Sequence, residues 1–141
     1  MKNLVWLLVL ALLLSACSVA EPEGTEGNYT HGIYELTFQT KRISDNHVGN
    51  DWSFIYTYDG QTIESGSQIT QSLEIFSFQS IQVEIREDDK IDNVGMGTLR
   101  VAICDGGSGK AEITVTESGD RHDGNTAVWE VTCEVKLVGK Q

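Results

Sequence analysis

Apolar and polar residues alternate with a period of two along short runs almost everywhere after residue 30, and no window of eleven or more residues carries a helical period. Tyr34, Leu36 and Phe38 alternate with Glu35, Thr37 and Gln39. Trp52, Phe54, Tyr56 and Tyr58 alternate with Ser53, Ile55 and Thr57. Ile81, Val83 and Ile85 alternate with Gln82, Glu84 and Arg86, and Ala111, Ile113 and Val115 with Glu112, Thr114 and Thr116. Successive side chains of a strand point to opposite faces, so this pattern predicts half-buried antiparallel strands. Further strands are expected over 98–103 and 127–138, with weaker patterns over 61–65 and 73–78. Asp59-Gly60 falls between two runs as a hairpin turn, because glycine tolerates positive φ. The single proline, Pro22, lies outside all of these runs, leaving every backbone donor available to a sheet. The expected fold is all-β: an antiparallel β-sandwich of about eight strands, with a closed barrel as the alternative.

The first thirty residues have a different character. Lys2 precedes an apolar run from Leu4 to Leu14, and Leu14-Ser15-Ala16-Cys17 follows at its end. This segment resembles the signal peptide and lipobox of bacterial lipoproteins. The resemblance implies removal of residues 1–16, a diacylglycerol on the Cys17 sulfur, and a membrane-anchored address on the extracytoplasmic side of a bacterial cell envelope. The apolar run falls short of the roughly 20 residues that a membrane-spanning helix needs. Ser18 stands where an aspartate is associated with inner-membrane retention. Ser18 to Thr30 combines Pro22, glycines and glutamates with almost nothing apolar, and reads as a charged tether. The expected organisation is signal peptide 1–16, lipidated Cys17 and tether 17–30, and sandwich 31–141.

The whole chain carries a formal charge of −11, and residues 1–16 contain one base and no acid, so the mature chain is more acidic still. Such a surface repels nucleic acid and anionic head groups, which argues against DNA or RNA as a partner. Divalent cations suit it chemically, although acidity also simply keeps an exported domain soluble. With Cys17 assigned to lipid, Cys104 and Cys133 remain as a candidate disulfide in an oxidising compartment. Parity sets Cys104 on the face opposite Leu99, Val101 and Ile103, while Cys133 shares an apolar face with Trp129, Val131, Val135 and Leu137. A bridge therefore needs a bulge at 105–107; the alternative is two reduced thiols.

Acidic residues concentrate in two breaks of the alternation. The first is Asp45-Asn46-His47-Val48-Gly49-Asn50-Asp51, and the second runs from Glu87 through Asp88, Asp89, Lys90, Ile91, Asp92, Asn93 and Val94 to Gly95. Calcium takes six to eight oxygen ligands in a flexible cage. Neither loop supplies that many, so a site requires both at one end of the sandwich. Taken singly, each reads as an ordinary turn, since Asp, Asn and Gly are the default turn residues. A third stretch, 117–125, is expected at the same end if the last three strands form a meander. Asp120 or Asp123 would then complete a cage, the alternative being a solvated hairpin turning at Asp123-Gly124.

In order and loop chemistry, residues 34–103 resemble a C-two domain, the calcium- and lipid-binding sandwich first defined in protein kinase C. Asp45 and Asp51 have the spacing of the two aspartates in that family's first calcium loop, with Asp51 opening the aromatic strand Trp52-Ser53-Phe54-Ile55. Glu87, Asp89, Asp92 and Val94-Gly95 follow the order of its third loop. The second loop here is about three residues shorter and begins with glutamate, no counterpart of the remaining loop is evident over 65–72, and no basic cluster beyond Lys41 and Arg42 is present. The resemblance implies a calcium site formed by Asp45, Asp51, Glu87, Asp89 and Asp92, and engagement of a protein partner or an envelope or membrane surface. The competing expectation is a metal-free adhesive or scaffold sandwich. No serine-hydrolase elbow, zinc-protease helix, Cys-x-x-Cys or phosphate-binding glycine loop occurs, so no enzymatic activity is expected.

Overall fold

The computed structural model describes residues 30–141 apart from Ser65, Asp89, Lys90, Ile91 and Asp120. The expected signal peptide, Cys17 and all but the last residue of the expected tether lie outside the described residues, as do the candidate ligands Asp89 and Asp120.

Eight strands form: β1 (His31–Asp45), β2 (Trp52–Tyr58), β3 (Gln61–Glu64), β4 (Gln68–Glu74), β5 (Ser77–Glu87), β6 (Asn93–Ile103), β7 (Ser108–Thr116) and β8 (Thr126–Lys140). They build two four-stranded sheets, ordered β4-β1-β8-β7 and β3-β2-β5-β6. Every paired neighbour is antiparallel. The fold is an all-β sandwich and is compatible with a C-two-like architecture.

The alternating residues do what their period requires. Tyr34, Leu36 and Phe38 from one sheet meet Tyr56, Ile81, Val83, Ile85, Leu99, Val101 and Ile103 from the other, and all are buried. Phe38 stacks on Tyr56 with centroids 4.8 Å apart, and Trp129 meets Trp52 at 5.1 Å and Phe54 at 4.7 Å. Such pairs add about 0.5–1.5 kcal/mol beyond the area they bury. Asp59 (φ 47°) and Gly60 (φ 73°) make the β2–β3 turn, with Tyr58 paired to Gln61. Both positive φ values match the right-handed twist of the flanking strands.

Three boundaries differ from expectation. The segment 73–78 is two strands broken by a turn at Ile75 and Phe76, where Phe76 adopts φ 60° and its N–H donates to Ile103 O (2.8 Å). The strand before that turn begins at Gln68, in a largely polar sequence whose edge position requires little apolar content. Finally, β6 starts at Asn93, so Val94 and Gly95 belong to a strand rather than to the second acidic loop. Gly95 and Gly97 conceal that strand from a hydrophobic pattern. A Cβ on Gly95 would lie 2.5 Å from Thr114 O, so the absence of a side chain lets β6 run close beside β7 where the two sheets meet.

Of the two alternatives for Cys104 and Cys133, the bridge between them does not form. Cys133 is a free, buried thiol facing the core between Phe38 and Gly109 in register. Cys104 Sγ lies against Gly107, beside the turn at 105–106, and does not bond to Cys133. Burial, and secondarily the Glu134 charge, push the Cys133 thiol up to about 12.

Candidate functional site at the three-loop end

Strand direction carries three connections to one end of the sandwich: β1–β2 (46–51), β5–β6 (88–92) and β7–β8 (117–125). The first connection is not a loose acidic turn. Val48 folds inward to 0% exposure, a single apolar residue acting as the plug of a polar loop. Its N–H donates to Asp45 Oδ1 (3.0 Å), while Asp45 Oδ2 accepts from the Arg42 guanidinium (2.8 Å). One carboxylate thereby closes the turn and joins an ion pair.

Behind Val48, Gly49 lies directly on the Glu87 carboxylate, and a Cβ there would overlap it. Glu87 is the last residue of β5, in register with Trp52 and with Asn93, and only 3% exposed. A buried carboxylate needs donors. Asn93 Nδ2 supplies one to Glu87 Oε2 (3.4 Å), and Asn93 Oδ1 accepts from Ser118 N (3.0 Å) and Ser118 Oγ (3.2 Å). Asn93 thus links the second connection to the third.

Two further ties complete the end. Asp88 N–H donates to Asp51 O (2.8 Å), joining the first and second connections. Asn46 N–H donates to Thr126 O (3.0 Å) and Asn46 Nδ2 to Asn125 Oδ1 (3.3 Å), joining the first and third. The third connection is internally closed by Glu117 N–H to Asn125 O (2.8 Å) and Gly124 N–H to Glu117 O (2.9 Å). Between the first and third connections opens a cleft of about 560 Å³ lined by Asp45, His47, Gly49, Asn50, Arg121 and His122.

Of the sequence-predicted ligands, the described Asp45, Asp51, Glu87 and Asp92 lie at this one end. Asp45 and Glu87 are engaged by donors of the chain itself. Asp51 and Asp92 lie on the exposed rim, Asp92 at 3.5 Å from Arg86 Nη1, which belongs to a guanidinium that also donates to Glu84 (2.7 Å). Among the described residues, no group of three or more His, Cys, Asp or Glu is placed to hold a metal ion. Val48, Asn93, Ser118 and Asn125 were not among the expected site residues. A lone valine inside an acidic loop was a legible sign of an inward fold; nothing in sequence distinguished Asn93 from a turn residue.

No family model matches the chain, and no curated protein matches it.

Proposed function

We propose that this chain is an exported, lipid-anchored envelope protein whose sandwich is a binding module, with the three-loop end as its recognition face. The observation that carries this reading is the cross-linking of three connections, distant in sequence, into one polar platform beside an open cleft. Binding sites are commonly loops held by a rigid scaffold, and here the described parts of the connections are tied to one another by hydrogen bonds, which lowers the ordering cost of binding. A protein or envelope component is the partner, and no catalytic step is assigned.

The metal-free form of this reading is favoured by the donors already on Asp45 and Glu87. Calcium would have to displace Arg42 and Val48 N–H from one and Asn93 from the other. Asp51 and Asp92 keep the calcium reading open as the second, because both face solvent on the rim. Melting curves at constant ionic strength separate the two. The metal-free module should melt at the same temperature with and without millimolar calcium. Binding at ten times the dissociation constant would instead add about 1.4 kcal/mol, and an Asp51→Asn variant would lose that gain. Mass spectrometry of the membrane-fractionated protein tests the anchor: acylated Cys17 at the new N-terminus is expected, and an intact Met1 end would overturn it.

A further inference from the structure

The end opposite the loops is defined by register. His31 pairs with Glu74, and Gly32 pairs with both Leu73 and Lys140. Ile75 N–H donates to Thr30 O (3.0 Å) and Phe76 N–H to Ile103 O (2.8 Å). The place where the chain enters the sandwich, the β4–β5 turn, the end of β6 and the end of β8 therefore lie together.

This end carries the most exposed aromatics of the described residues, Phe76 (67% exposed) and Phe78 (58%), with Val138 (48%) at the end of β8. Phe76 sits at φ 60°, a conformation that glycine or asparagine adopts readily and a bulky residue does not. An exposed phenylalanine there satisfies neither the turn nor the core. The Arg100 guanidinium lies 4.2 Å from the centre of the Phe78 ring. Asp51, Asp88, Asp92 and Asp123 stand at the far end.

We propose that the Phe76–Phe78 corner, with Arg100, rests in the head-group region of the bilayer to which Cys17 anchors the chain. The inference rests on the lipid-anchor reading above. Residues 18–30 join Cys17 to His31, and at 3.3–3.6 Å per residue the separation is at most roughly 50 Å. The corner is beside the point where that segment enters, so the anchor holds this end near the lipid at high effective concentration. Aromatic rings and an arginine beside them match the membrane interface, where rings lie at head-group depth and the guanidinium reaches phosphate. The recognition face then points outward, where a partner meets it.

The test uses the acylated mature protein in vesicles of phosphatidylethanolamine and phosphatidylglycerol with bromine on shallow acyl carbons. Phe76→Trp should show blue-shifted emission and strong quenching above the wild-type background of Trp52 and Trp129. Asn50→Trp, in the first loop, should show neither. Phe78→Trp provides the same readout should Phe76→Trp fail to fold. Acylated protein whose corner emission matches that of Asn50→Trp overturns the inference and leaves the anchor standing. Emission that shifts with protein concentration but not with bromine assigns the corner to a second copy and overturns it too. Absence of acylation on Cys17 in the same sample removes the anchor and the inference together.

Discussion

Gly49 is irreplaceable for a reason local to one atom pair. Its φ of 22° is marginal for other residues, and the missing Cβ is where the Glu87 carboxylate lies. Gly49→Ala should therefore force the first loop off β5 and destabilise by about 1–3 kcal/mol, as overpacking does, read as a lower urea midpoint. Phe76 poses the reverse case. Its left-handed backbone costs about 1–2 kcal/mol for an ordinary residue, and its exposed ring recovers little by burial. Phe76→Asn should raise the stability of the vesicle-free protein by up to about 1 kcal/mol, since asparagine tolerates that conformation. A fall in thermal midpoint would mean that the ring has a structural role.

At the scale of elements, β8 is the strand on which both core and loop end depend. Trp129 packs against Trp52 and Phe54 from the facing sheet, and Arg42 lies 5.6 Å above its ring. Trp129→Ala should cost about 3–5 kcal/mol, measurable by denaturant unfolding. Asn93→Ala removes donors and acceptors from Glu87 and Ser118 together, at about 1–3 kcal/mol for groups left buried and unmatched. Strands whose alternation is fully apolar on one face, such as 34–38 and 81–85, were legible because burial alone determines them. Edge strand β4 and the start of β6 were not, since one is polar and the other has glycine where its inward side chains would be. The loop end was legible by strand direction, which brought 45–51, 88–92 and 117–125 to one place. What each carboxylate does there was not, because its donors (Arg42, Val48 N–H, Asn93) are set by tertiary approach rather than by spacing.

At the scale of the whole molecule, Tyr34, Tyr58, Lys110 and Cys133 all have their proton affinity shifted in one direction. Burial, then the Asp105 charge, raises the Tyr34 hydroxyl; burial, then Asp59, raises that of Tyr58. The Cys133 thiol is pushed from 9.0 to about 12, and the hydrogen bond and charge of Glu130 raise Lys110. In every case the folded state holds its proton more tightly than the unfolded state does. The unfolded chain therefore loses these protons first as pH rises, and stability is full below the unfolded values and declines above them. The decline should begin near pH 9 and continue toward 12, the window set by Cys133. Urea midpoints from pH 7 to 11 should be flat at first and then fall, and Cys133→Ala should flatten the fall while lowering the plateau through its cavity. The same burial keeps the thiol protonated and out of reach at pH 8, so a maleimide should label Cys133 only as fast as the sandwich unfolds. Labelling much faster than global unfolding would show that β8 opens on its own. The core beneath Phe38 would then not be the single cooperative unit that two fully paired sheets imply.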